Sequence, residues 1–81
     1  MILKVPLVLT PQPEGGYTVT SPVLPELVTE GDTIEEVLEN VQDALQAVME
    51  AYEDMGRAIP QNLLLADSKG PVWLETLVAT R

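Results

Sequence analysis

The stretch Gly31–Glu36, GDTIEE, decides the fold of this 81-residue chain, because it marks where a strand ends and a long helix begins. Gly31 and Asp32 interrupt the extended segment before them. Thr33 and Glu36 have the spacing of a capping box. In that arrangement the threonine hydroxyl accepts a hydrogen bond from the backbone N–H of Glu36, whose side chain reaches back. We therefore predict that a helix begins just after Thr33.

Apolar residues continue from this start in steps of three and four, the spacing of an amphipathic helix. They are Ile34, Val37, Leu38, Val41, Leu45, Val48, Met49, Tyr52 and Met55. Gly56 stands where a left-handed residue ends a helix, and Arg57 suits the carbonyl end of a helix. The pattern predicts one helix of about 22 residues, with acidic residues along its solvated face.

Three extended segments precede the helix. In Ile2–Thr10, apolar residues alternate with period two, which places four aliphatic side chains on one face. A loop rich in proline and glycine leads to Tyr17–Thr20, so the first two segments predict a hairpin. Glu26–Glu30 is predicted to be a short third strand.

Two further segments follow the helix. Asn62–Ala66 is a short apolar run that fits either a strand or a covering loop. Val72–Thr80 is predicted to be a last strand, and both of its faces are apolar, so its second face is covered by this chain or by another. Trp73 is by default a core residue and otherwise an interface anchor. For an oligomer interface we expect Val72, Trp73, Leu74 and Leu77.

The element order is therefore β-β-β-α-β in a single α+β domain spanning residues 1–81. We predict a three- to four-stranded, mainly antiparallel sheet with one long helix on one face. A right-handed crossover would return the last strand parallel to the third, where it can lie beside the first. One helix covers one sheet face, so apolar surface on the opposite face is left for a partner.

The composition excludes several function classes. Thirteen acidic residues face four basic ones, which gives a net charge of −9, and the chain has neither cysteine nor histidine. We expect no cofactor and no enzymatic activity, because the usual general base and nucleophile pairs are missing. The charge opposes direct binding of nucleic acid and favours a basic partner. The N-terminus lacks the features of a signal peptide, and no apolar run approaches the roughly 20 residues of a membrane span. We therefore expect a cytoplasmic protein that does not contact a membrane.

Four acids gather around the helix start, Glu30, Asp32, Glu35 and Glu36. They fit a site for Mg²⁺ or Ca²⁺ by residue type, but stabilisation of the helix dipole and cap is the more common role, and we favour it. For contacts with a basic partner we predict the carboxylates of Glu26, Glu30, Asp32 and Glu35.

Several of these segments together resemble the HicB-like antitoxin family. The residues concerned are an aromatic strand at Gly16–Val19, the Leu-Pro turn and Thr-Glu-Gly-Asp-Thr-x-Glu-Glu pattern within Pro22–Leu45, and Gly56–Pro60, which is similar to the family's G-x-x-I-P. The chain departs from the pattern at Glu26, where the family usually has glycine, and at Val37, where it often has alanine.

The resemblance implies a β-β-β-α-β domain likened to a partial ribonuclease-H fold without its catalytic carboxylates. It also implies a homodimer or homotetramer that masks a small basic toxin of the HicA type, a ribonuclease of translated messages. Many members carry a C-terminal DNA-binding domain, and because this sequence ends at Arg81 we expect a solitary domain without that tail.

Two other hypotheses stay open at this stage. One is a solitary homo-oligomeric HicB-like domain with a structural or small-ligand-binding role and no toxin. The other is a metal-dependent nuclease with a degenerate site.

Overall fold

The computed structural model describes residues 2–64, 70–73, 75–77 and 80, and its three strands and long helix follow the predicted order. They are the strands β1 (Val8–Pro11), β2 (Tyr17–Thr20) and β3 (Val28–Gly31), the helix α1 (Ile34–Asp54) and a 3-10 turn at Gln61–Leu63. The strands form an antiparallel sheet in the order β1-β2-β3. Three strands followed by one long helix confirm the predicted α+β class.

The first strand is shorter than predicted, and its register gives the reason. Regular pairing begins at Val8, which lies opposite Thr20, so the prediction of a strand over Ile2–Thr10 was wrong at its start. Continuing the same register would set Pro6 opposite Pro22, and neither proline has an N–H to donate. The ladder therefore stops just before the position at which both strands would lack an N–H donor.

The residues before β1 pair with the segment after the helix instead. Leu3 forms an isolated bridge with Leu64, and the backbone N–H of Lys4 donates to the carbonyl oxygen of Leu63 at 2.7 Å. The apolar run that begins at Asn62 thus supplies a 3-10 turn and one bridge within the described residues. The third strand also differs from its prediction, since it begins at Val28 and not at Glu26.

The helix packs its apolar stripe on one face of the sheet in two adjoining clusters. Val19 of β2 is fully buried against Val37 and Val41. Further along the helix, Val48 and Tyr52 pack with apolar residues from the loops, Leu24, Leu27 and Leu63. The opposite sheet face keeps Val8 and Val28 exposed, as expected when one helix covers one face.

Both ends of the helix follow the predicted local rules. The Thr33 hydroxyl accepts a hydrogen bond from the Glu36 N–H at 3.1 Å. At the other end Gly56 adopts a left-handed φ of +66°. The N–H of Gly56 donates to the Glu53 carbonyl at 3.1 Å and that of Arg57 to the Tyr52 carbonyl at 2.9 Å, which is the Schellman arrangement.

The predicted last strand is not found in its described residues. Val72, Trp73, residues 75–77 and Thr80 have no strand pairing, whereas Leu74, Val78 and Ala79 lie outside the described residues. Trp73 is 84% exposed, so its default assignment to the core was wrong. Alternating apolar residues favour a strand only when a neighbouring strand supplies the hydrogen bonds, and the described residues have none here.

Gly31 fixes the distance between β3 and α1, and its replacement tests this contact. A Cβ atom at Gly31 would lie 2.7 Å from the backbone nitrogen of Val37, whereas one at Gly56 would meet nothing within 4 Å. We expect Gly31→Ala to lower the free energy of unfolding by about 2–3 kcal/mol, because backbone must move. Gly56→Ala should cost only about 1 kcal/mol for its left-handed φ. Urea denaturation of both variants measures this, and equal losses would contradict it.

Candidate partner-binding surface

Three of the four predicted contact carboxylates lie at the junction between β3 and α1. Glu30 is in β3, Asp32 follows the strand, and Glu35 is in the first turn of the helix. All three residues are exposed. Carboxylates at this end of a helix also complement the positive end of its dipole, so the local structure tolerates their mutual repulsion.

The backbone that carries these carboxylates is held from two sides. Gly31 is buried, and its missing side chain lets β3 approach the first turn of α1. The Asn40 side-chain amide donates to the backbone carbonyl of Glu30 at 2.7 Å. This bond satisfies an outward-facing carbonyl at the β3 edge and ties the strand to the second turn of the helix.

Glu26, the fourth predicted contact, lies in a different environment near the end of the helix. Its Oε1 accepts a hydrogen bond from the Tyr52 hydroxyl at 2.8 Å, and its Oε2 accepts one from Arg57 at 3.1 Å. The Arg57 guanidinium also lies over the Tyr52 ring, 4.3 Å from the ring centre. The carboxylate is therefore already paired within its own chain.

These contacts shift two pKa values in opposite directions. A hydrogen bond from its own backbone N–H, joined by the bond from the Tyr52 hydroxyl, lowers the pKa of Glu26. The Glu26 carboxylate in turn raises the pKa of Tyr52, because it accepts the hydroxyl proton that ionisation would remove. Both shifts favour, near neutral pH, an ionised Glu26 carboxylate that accepts a hydrogen bond from a neutral Tyr52 hydroxyl.

This cluster was not predicted from the sequence. Tyr52 was assigned only to the apolar stripe and Arg57 only to the helix end. The Schellman turn at Gly56 was a local signal that Arg57 folds back over the last turn, but the 26-residue separation of Glu26 from Tyr52 left no signal for their contact.

Beside the cluster, the helix residues Ala47, Ala51 and Met55 line a shallow apolar hollow of about 180 Å³.

Charge is strongly segregated along the chain. Residues 14–54 hold eleven of the thirteen acids and none of the four basic residues. Residues 14–54 are thus the acidic half of the chain, and Arg57, from outside this segment, pairs with Glu26 within it. The remaining residues, 1–13 and 55–81, hold two acids and four basic residues.

Among the described residues, no group of three acidic side chains comes close enough together to hold a metal ion. At the helix start the acids lie beside Thr33, whose hydroxyl forms the cap. Within the described part of the chain, no helix has the length and apolar character that crossing a membrane requires.

These features define a small, strongly acidic α+β domain. Residues 5–80 match the sequence model of the HicB-like antitoxins of bacterial toxin–antitoxin systems. The chain belongs to this family, as its strand, turn and helix-start pattern indicated.

Individual relatives agree with this assignment. The chain is 40% identical over 58 residues to Antitoxin HicB of Escherichia coli, a match that covers 72% of this chain and 42% of that protein. It is 45% identical over 58 residues to Antitoxin HicB 1 of Photorhabdus laumondii, covering 72% and 37%. It is 32% identical over 60 residues to UPF0150 protein Ta0767 of Thermoplasma acidophilum, covering 74% and 87%. The matched part thus spans about two fifths of the HicB antitoxins.

Removing the Tyr52 hydroxyl tests the cluster around Glu26. In Tyr52→Phe the carboxylate loses one of the bonds that lower its pKa, so we expect the Glu26 pKa to rise. A depressed carboxyl pKa contributes stability above the unfolded-state value of 4.5, and that stability is lost as pH falls through the folded-state pKa. The variant should therefore be less stable than the wild type at pH 7, with the difference shrinking below pH 4.5.

NMR titration of the side-chain carboxyl carbons measures the Glu26 pKa directly. Tyr17→Phe is the matched control, since Tyr17 makes no contact with Glu26. An unchanged Glu26 pKa in Tyr52→Phe would contradict the role given to the hydroxyl.

Proposed function

We propose that this chain is a non-enzymatic antitoxin domain that masks a small basic toxin of the HicA type, a ribonuclease that cleaves messenger RNA. The observation that carries the proposal is the segregation of charge in a member of the HicB-like family. Residues 14–54 contain eleven acids and no basic residue. A basic protein that covers this half relieves the repulsion among its carboxylates and is attracted from a distance.

Glu30, Asp32 and Glu35 are the proposed contacts at the centre of this surface. They are exposed, and the bonds and close packing at Gly31 and Asn40 hold their backbone in place. Because the backbone at the junction is already held, binding there requires less ordering of the main chain, which favours affinity.

Glu26 has a different proposed role because Arg57 already pairs with it. A toxin arginine would have to replace Arg57 in order to bond the Glu26 carboxylate. The Arg57 side chain is half exposed, so this exchange requires no unfolding of the helix end. Glu26 thus contributes to selection among basic partners more than to attraction.

The proposed activity also bears on the location of the protein, its oligomeric state and its contact with nucleic acid. A toxin that acts on translated messages is met in the cytoplasm, where we place the protein. We also propose that it is a homodimer or homotetramer and that it makes no direct contact with nucleic acid, since its acidic half would repel phosphates.

Neutralising the junction carboxylates tests the proposal. The probe is a small basic toxin of the HicA type, titrated calorimetrically at low and at physiological salt. We expect the triple variant Glu30→Gln, Asp32→Asn, Glu35→Gln to bind about tenfold more weakly, since three partly exposed pairs contribute about 0.5 kcal/mol each. The loss should be larger at low salt.

A second triple variant provides the matched control, with the same change in net charge at the other end of the helix. It is Glu50→Gln, Glu53→Gln, Asp54→Asn, and all three residues are exposed. We expect it to reduce affinity less than threefold. Equal losses of affinity in the two triple variants would contradict the assignment of the main contacts to the junction. Absence of binding at low salt would overturn the proposal in favour of a solitary oligomeric domain with a structural or small-ligand role.

A further inference from the structure

The apolar hollow of about 180 Å³ beside the Glu26 cluster lies near the end of the helix. Three of its lining residues, Ala47, Ala51 and Met55, are exposed, and Met55 is 59% exposed. They recur at intervals of four, so they form one row on the helix surface. Every other exposed residue of α1 is acidic or a glutamine. The row is therefore an apolar strip on an otherwise polar exposed surface.

The hollow has room for one large apolar side chain. Its buried lining residues are Val48 and Tyr52, and the side chains of its two alanines are short. An apolar cavity of about 150 Å³ holds a group the size of benzene. Met55 is unbranched and flexible, so it adjusts to the shape of a group that enters.

Carboxylates lie at the borders of the hollow. Glu26 belongs to its lining, and Glu50 and Asp54 each lie three positions after one of the alanines in α1, beside the row. Within the described part of the chain, Glu26 pairs with Arg57, and neither Glu50 nor Asp54 has an ion-pair partner. A side chain that enters the hollow thus meets apolar atoms inside it and negative charge around it.

We infer that this hollow anchors one large aliphatic side chain of the basic toxin, presented beside an arginine or a lysine. The inference rests on the proposed function, and it adds an apolar contact to the charged contacts at the junction. Burial of the anchor removes apolar surface of both proteins from water, and a central apolar anchor with polar neighbours is typical of strong interfaces. The acidic border favours an anchor whose neighbour in the toxin is a cation.

The hollow adjoins the paired carboxylate of Glu26. It shares Glu26 and Tyr52 with the cluster that Arg57 completes. One segment of the toxin therefore supplies both the apolar anchor and the cation that exchanges with Arg57.

The hollow also faces the same side of the helix as the junction does. Asn40, whose side chain bonds the Glu30 carbonyl, is seven positions before Ala47, a spacing that keeps two residues on one helix face. Along the helix axis the two residues are about 10 Å apart. A single small toxin thus reaches the carboxylates of the junction and the hollow together.

A second copy of the chain fits this hollow less well than a basic toxin does. The hollow lies within the segment 14–54 apart from Met55, and that segment contains eleven acids and no basic residue. The acidic half of another copy would be repelled from it, whereas a basic surface is attracted to it.

Filling the hollow tests the inference. Ala51 is exposed, so Ala51→Phe places a ring in the hollow without disturbing the core. In calorimetric titration we expect this variant to bind a toxin of the HicA type at least about tenfold more weakly. The factor should be nearly equal at low and at physiological salt, because the lost contact is apolar, whereas the loss in the junction triple variant depends on salt.

Two further variants complete the test. Gln46→Phe, at an exposed helix position outside the lining, is the matched control and should change affinity less than about twofold. Met55→Gln keeps the length of the side chain but replaces the thioether by a polar amide, and it should weaken binding about threefold to tenfold. Urea denaturation establishes that each variant is folded.

Two results would overturn the inference and leave the proposed function in place. One is a toxin affinity that stays unchanged in Ala51→Phe and Met55→Gln, and the other is an equal loss of affinity in Gln46→Phe. A change in the sedimentation of free Ala51→Phe, with unchanged toxin affinity, would assign the hollow to a contact between copies and would also overturn the inference. A wild type that does not bind the toxin at low salt would overturn the proposed function itself.

Discussion

The contact between Gly31 and the first turn of α1 is the constraint on which the other features depend. A side chain at this position would overlap the backbone of Val37, so only glycine lets β3 run directly against the helix start. That approach allows Val37 and Val41 to reach Val19 in the sheet core. It also brings Asn40 within hydrogen-bond distance of the Glu30 carbonyl. The acidic junction is therefore a product of backbone packing, and its carboxylates are displayed by residues whose own side chains take no part in the core.

The segregation of charge causes repulsion among the acidic residues of the helix, and this repulsion is offset differently at its two ends. Seven of the acids lie within α1, and the chain provides no basic residue between Glu14 and Asp54 to pair with them. Their repulsion is reduced at the helix start, where Glu35 and Glu36 interact favourably with the dipole. At the other end the dipole opposes Glu53 and Asp54, and the Schellman turn compensates by satisfying the last carbonyls through Gly56 and Arg57.

The parts of the structure that sequence could predict are those with short-range causes. The helix start at Thr33, the apolar stripe and the left-handed Gly56 each follow from residues within a turn or two, and all three are confirmed. The start of β1 could not be predicted from Ile2–Thr10 alone, because it depends on Pro22, which a continued register would set opposite Pro6. The segment around Trp73 shows the same limit. Its apolar alternation indicated a buried strand, but burial depends on a neighbour that no local pattern specifies.

The candidate site also has a part that depends on nearby residues and a part that depends on residues distant in sequence. The carboxylates of Glu30, Asp32 and Glu35 were selected from their position near a predicted helix start, and all three residues lie at the β3–α1 junction. Glu26 was selected with them, although its environment is set by residues distant in sequence, Tyr52 and Arg57. A charge that is free and a charge that is already paired affect association differently. Free carboxylates speed the encounter with any basic protein, whereas Glu26 yields a bond only to a group that can displace a guanidinium stacked on Tyr52. We therefore propose that Glu26, at the end of the helix, contributes to selectivity, whereas Glu30, Asp32 and Glu35, at its beginning, contribute to attraction.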